Sequence, residues 1–83
     1  MANKAALITG ASSGIGLAIA NLLGSEGYDL TVAARRPEKL EDAANGLREK
    51  GYNVVSVAAN MASEEDIIRT VSEHRNAYGR LDV

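Results

Sequence analysis

Apolar residues fall alternately into short unbroken runs and helix-spaced stripes, with glycine or proline at the joints. Ala5-Ala6-Leu7-Ile8 is an unbroken run, the pattern of a strand covered on both faces, and it predicts a central first strand. From Gly14 onward, Ile15, Ala18, Ile19, Leu22 and Leu23 fall at i, i+3, i+4, i+7 and i+8, which predicts a first helix with this stripe as its buried face, closed by Gly27. A second strand follows at Asp29 to Ala34. Pro37 suits the first turn of a second helix whose apolar face is Leu40, Ala43, Ala44 and Leu47, with Gly51 as its left-handed cap. The third strand runs from Asn53 to Ala58 or Ala59. Ser63 with Asp66 three residues on resembles a capping box and opens a third helix, whose Ile67, Ile68, Val71 and Tyr78 face inward before Gly79. Leu81-Asp82-Val83 reads as the first residues of a fourth strand.

Gly27-Tyr28-Asp29-Leu30 and Gly51-Tyr52-Asn53-Val54 form a near-repeat in which a helix ends and a strand begins, and Ala77-Tyr78-Gly79-Arg80-Leu81 is a looser third version. Alternating β and α elements of this length imply right-handed crossovers and a parallel sheet. The expected fold is α/β, a partial Rossmann βαβαβα unit plus the start of a fourth strand, in sheet order 3-2-1-(4). No linker divides residues 1–83, which read as one part of a single domain.

Composition narrows the function classes. The 83 residues are 46% hydrophobic and 24% charged, with a net charge of −2, no cysteine and no basic run. Disulfides and thiolate-held zinc are thereby excluded, and a dedicated nucleic-acid surface is not expected. No apolar stretch approaches the ~20 residues of a membrane-spanning helix, and the start lacks a secretory pattern, so the expected address is cytoplasmic. With no Phe or Trp, the core must come from Leu, Ile, Val and Ala.

The strongest chemical signal is Thr9-Gly10-Ala11-Ser12-Ser13-Gly14-Ile15-Gly16, between the first strand and the first helix. In its G-x-x-x-G-x-G spacing, Gly10 lets the strand turn sharply, Gly14 lets a diphosphate approach the backbone and Gly16 permits close packing of helix on sheet. Free N–H groups and the positive end of the helix then face the anion. A mononucleotide P-loop is disfavoured, because the G-x-x-x-x-G spacing and the Lys-Ser/Thr pair are absent. The motif also lacks the G-x-S-x-G elbow of a serine hydrolase.

This motif, followed by Val32-Ala33-Ala34-Arg35-Arg36 and by Gly79-Arg80-Leu81-Asp82-Val83, resembles the amino-terminal third of a short-chain dehydrogenase/reductase. The resemblance spans the whole chain. It implies a Rossmann-fold oxidoreductase that passes a hydride between NAD(P) and an alcohol or carbonyl, with Gly10, Ser12, Ser13, Ile15 and Gly16 lining the diphosphate and adenosine ribose. It also implies that the catalytic tyrosine and lysine, four residues apart, and an upstream serine belong to the later half of the fold. None of Tyr28, Tyr52 and Tyr78 is followed by a lysine at i+4, so no catalytic residue is assigned.

NAD-selective sites place a carboxylate at the carboxyl end of the second strand, where this chain has Ala34. Asp29 begins the same strand, ~17 Å away at ~3.3 Å per residue, and cannot substitute. Arg35 and Arg36 follow instead, and a guanidinium beside the ribose can hold a 2′-phosphate, which favours NADP(H) over NAD(H). The plainer alternative is that both arginines form a solvated helix entrance. NADP-dependent relatives often carry a basic residue where this chain has Ser13. Asn60 and Met61 follow the third strand, where adenine contact and a plain turn are both open. His74, the sole histidine, is expected as a partly covered surface residue, and no metal site is expected. A fourth strand only begun would leave an open edge on the first, so self-association into a homodimer or swapped assembly is expected. The alternative reading is a stand-alone nucleotide-binding or regulatory module that needs a partner chain.

Overall fold

The computed structural model describes residues 4–12 and 14–81. Its elements are β1 (Ala5–Thr9), α1 (Gly14–Ser25), β2 (Asp29–Ala34), α2 (Pro37–Glu49), β3 (Val54–Ala58) and α3 (Glu64–Tyr78). The three strands are parallel in the order β1-β2-β3, the expected 3-2-1, with Ile8 beside Val32 and Val32 beside Ser56. Among the described residues β2, not β1, is the inner strand. The fourth strand expected beyond β1 falls largely on Asp82 and Val83, which lie outside the described residues.

The period of two along β2 divides its side chains between two layers. Leu30, Val32 and Ala34 join Ala6 and Ile8 of β1, Ala20 of α1 and Leu40, Ala44 and Leu47 of α2 in the main core. Thr31 turns to the opposite face, where α3 lies. With no Phe or Trp, this core closes through small contacts: Gly24 of α1 is buried against the Tyr52 ring, which a Cβ there would meet at 2.5 Å. Tyr28 and Tyr52, each following a helix-ending glycine, pack against the cluster.

Three expectations about helix faces are corrected. The stripe assigned to the buried side of α1 is largely exposed, with Ile15 at 80%, Ile19 at 43% and Leu22 at 60%. The face turned to the sheet carries Ala20 and Gly24, with Leu17 and Leu23 partly buried beside them. The reason is steric. Gly16 is drawn down onto the β1–α1 turn, and that fixes the rotation of the helix so that its small residues meet the sheet while branched ones point away. Because α1 is apolar nearly all round, periodicity could not choose between the faces.

His74 is the second correction: it is fully buried, not a surface residue. Its Nδ1 is 2.6 Å from the Thr31 hydroxyl, and its ring meets that of Tyr78 edge-on at 5.3 Å. The Tyr78 hydroxyl donates to Leu30 O at 2.6 Å. Burial, reinforced by the negative charge of Asp29, raises the Tyr78 pKa above its ordinary value of 10.0. Polar groups therefore seat α3 on the sheet, while its Ile67 and Ile68, expected to face inward, are exposed. The α3 start follows the expected signal in half: Ser63 Oγ accepts from Asp66 N–H, but Asp66 Oδ2 turns to Asn60 N–H at 2.8 Å instead of closing the box.

Candidate functional site: the cleft at the strand ends

All three strands point their carboxyl ends the same way, and at those ends lies a cleft of about 640 Å³. Thr9 leaves β1 into it, Ala34 closes β2 beneath it, and Ala59 follows β3. A crevice outside the carboxyl ends of parallel strands is where α/β sheets bind ligands, because loops and helix N-termini converge there.

The β1–α1 turn is shaped by its glycines. Gly10 and Gly14 adopt left-handed backbone with φ of 63° and 61°, which other residues rarely reach. Gly16 meets a different demand. A Cβ there would stand 2.2 Å from the carbonyl oxygen of Gly10, so only hydrogen fits between helix and turn. Buried Ala11 anchors the turn by donating its N–H to Ala33 O at 3.2 Å. The first turn of α1 carries no acidic side chain, so nothing on it offsets the positive end of the helix.

Six of the expected site residues line the cleft together: Gly10, Ser12, Arg35, Arg36, Asn60 and Met61. Gly14, Ile15 and Gly16 form the first turn of α1 and are not among its lining residues, since Gly16 faces the turn and Ile15 faces solvent. Ser13 lies outside the described residues. Asn60 shows the turn role: its Oδ1 accepts from Ala62 N–H at 2.9 Å, while its own N–H is held by Asp66. Asp29 sits opposite Ala5, at the far end of the sheet from the cleft, where it accepts from Asn53 at 3.0 Å.

Sequence reasoning missed Lys39, which also lines the cleft. Its signal was a cation three residues after Arg36 in a helix opening at Pro37, a spacing that returns it to the same end of α2. The cleft lining holds three cationic side chains and no carboxylate.

A family profile described as short chain dehydrogenase matches residues 4–83. The chain belongs to the short-chain dehydrogenase family. Among similar sequences, the uncharacterized oxidoreductase YxjF of Bacillus subtilis is 37% identical over 83 residues, which cover all of this chain and 32% of that protein. The 11-beta-hydroxysteroid dehydrogenase B of Sesamum indicum is 43% identical, with 99% of this chain and 23% of that one covered. Among solved structures, L-sorbose reductase from Gluconobacter frateurii, complexed with NADPH and L-sorbose, superposes with a TM-score of 0.90 at 41% identity, covering 95% of this chain and 30% of the reductase. A short-chain dehydrogenase/reductase from Burkholderia phymatum in complex with NAD gives a TM-score of 0.94 at 29% identity, covering 96% and 28%. This short-chain dehydrogenase chain thus spans about a third or less of the length of the relatives it matches. Its relatives include both NADPH-bound and NAD-bound proteins.

The turn fits a dinucleotide diphosphate on its own chemistry: backbone donors at a helix N-terminus whose first turn carries no acid, beside cations and with no carboxylate in the cleft lining to repel the anion. Among the described residues there is no cluster of His, Asp or Glu suited to a metal, and no helix long and apolar enough to cross a membrane.

Proposed function

We propose that this chain is the cofactor-binding part of an oxidoreductase that moves a hydride between NADP(H) and an alcohol or carbonyl substrate. The observation that carries the reading is the cleft itself, with the glycine turn on one wall and unpaired cations on another where an NAD-selective site would carry an acid. The nicotinamide supplies or accepts the hydride; the residues of this chain bind and orient. Amides of the β1–α1 turn hold the diphosphate, with Gly14, Ile15 and Gly16 contributing backbone at the head of α1 and Ser12 and Ser13 their hydroxyls. Arg35 and Arg36 meet the 2′-phosphate, and Met61 covers the adenine. Asn60 positions that loop through its turn bond to Ala62 and keeps a carbonyl lone pair for the adenine amino group. Catalytic serine, tyrosine and lysine come from outside residues 1–83, so the segment alone is inactive, and its address is the cytoplasm.

A ligand that binds only the native form stabilises it by RT ln(1 + [L]/Kd), about 2.7 kcal/mol at a hundredfold excess over Kd. The unfolding midpoint should therefore rise with NADP+ more than with NAD+ at equal concentration. Equal shifts would remove the case for a 2′-phosphate site, and no shift with either would remove the dinucleotide reading.

The second reading, a nucleotide-binding module completed by another chain, is favoured by one observation. Among the described residues β1 pairs only with β2, and Ile15, Ile19 and Leu22 stand exposed on α1. An open edge and an uncovered apolar face promote association, in the simplest case between two copies. Sedimentation should show dimers at high concentration, and a monodisperse monomer would count against self-association.

A further inference from the structure

We infer that Lys39 is a specificity-determining residue of this cleft. It joins Arg35 and Arg36 in a three-cation pocket for the phosphate monoester on the cofactor ribose, and the head of α2 supplies that pocket's backbone donors. The inference rests on the dinucleotide reading above and assigns its selectivity to a residue and a helix end that the glycine motif does not contain.

Three independent features converge on the same corner. Lys39, Arg35 and Arg36 all line the cleft. None of their side chains makes a hydrogen bond or ion pair among the described residues, where the ion pairs are Arg48 with Glu41 and Arg69 with Asp66. The acids nearest in sequence, Glu38, Glu41 and Asp42, are exposed and are not part of the lining, and Glu41 is engaged by Arg48 and Ser56. Three like charges gathered on one wall repel each other, and an anion placed between them relieves that cost.

The third feature is the start of α2. Arg36 occupies the N-cap with extended backbone and offers no side-chain acceptor, and Pro37 takes the first helical position. The N–H groups of Glu38 and Lys39 then have no acceptor within the helix, whereas α3 satisfies the equivalent need with Ser63. A phosphate oxygen is the acceptor this end lacks, and α2 is 13 residues long, enough for its aligned peptide dipoles to favour a negative charge. Lysine suits the position because its ammonium is a compact charge on a flexible stem, which can follow a phosphate that the flatter guanidinium groups hold from the side.

Titration of the full chain with NADP+, NAD+, 2′,5′-ADP and 5′-ADP tests this in the wild type, Lys39→Gln and Lys39→Arg. Lys39 is exposed and outside the core, so both variants should fold, which their circular dichroism and unfolding midpoint would verify. Losing one charged partner of a phosphate should weaken NADP+ and 2′,5′-ADP about five- to tenfold, with NAD+ and 5′-ADP changed by less than about twofold. Lys39→Arg should recover most of the loss, and the preference for NADP+ should depend less on salt in Lys39→Gln than in the wild type. If the wild type prefers NADP+ and Lys39→Gln keeps the full preference, Lys39 is a solvated surface charge and the inference fails while the cofactor reading stands. If the wild type binds NADP+ and NAD+ equally, the 2′-phosphate reading fails and takes this inference with it.

Discussion

Replacing Gly16 with alanine sets two effects of known sign against each other. Within a helix, alanine is favoured over glycine by about 0.8–1 kcal/mol, because it has less backbone freedom to lose on folding. At Gly46, in the middle of α2, a Cβ would have no atom within 4 Å, so Gly46→Ala should show that gain alone, about 0.5–1 kcal/mol of added stability. At Gly16 the same gain is available, but the new Cβ would stand 2.2 Å from the Gly10 oxygen and 2.8 Å from its carbonyl carbon, where real Cβ contacts under 3.0 Å are essentially never seen. The obstacle is backbone held by the left-handed Gly10 and by the Ala11 bond to Ala33, so no side-chain rotation relieves it. Overpacking of this kind costs about 1–3 kcal/mol or more, which outweighs the propensity gain. Gly16→Ala should therefore be destabilised by about 1–2 kcal/mol, a fall of roughly 4–8 °C in Tm per kcal/mol for a chain of this size. Urea unfolding of the two variants side by side measures both terms. The shift of α1 away from the turn should also weaken dinucleotide binding by more than stability alone explains. A Gly16→Ala chain as stable as Gly46→Ala would refute the close approach of α1 to the turn, and with it the rotation that leaves Ile15 and Ile19 exposed.

His74→Ala should cost about 3 kcal/mol, since it opens a cavity and strips the Thr31 hydroxyl of a buried partner; a change below about 0.5 kcal/mol in urea unfolding would mean that the ring is at the surface after all. Tyr78→Phe removes a hydrogen bond to Leu30 O and should cost about 1 kcal/mol at neutral pH. Because the folded-state pKa of Tyr78 is raised above 10.0, the neutral phenol favours the folded state: that contribution is complete below pH 10.0 and is lost as pH rises through the folded value. Stability of the wild type should thus fall more steeply on the alkaline side than that of Tyr78→Phe, and parallel curves would exclude a perturbed Tyr78.

The order of elements and the nature of the opening turn were legible because each rests on local physics. An unbroken apolar run, the spacing of Leu40, Ala44 and Leu47, and a glycine where φ must be positive are properties of a few neighbouring residues. The glycine roles at Gly10 and Gly16 are of this kind, and the structure shows both. Lys39 was in principle legible by the same means, as a cation one turn past Arg36, yet its place in the cleft depends on how α2 leaves β2. Asn60 was open between a turn and a ligand contact, and only the distance to Ala62 N–H shows which bond its carbonyl makes.

What the sequence alone determined is the alternation of strand and helix, the parallel sheet it demands and a turn built to receive an anion, all encoded in short-range spacing. Only the tertiary structure decided which way each helix faces. α1 is apolar on nearly every side, so its rotation was chosen by a 2.2 Å contact between residues six apart, and His74 was buried because Thr31, 43 residues away, offered it a partner. Periodicity reports that a helix has an apolar side; steric fit and polar pairing between distant segments determine which side meets the sheet.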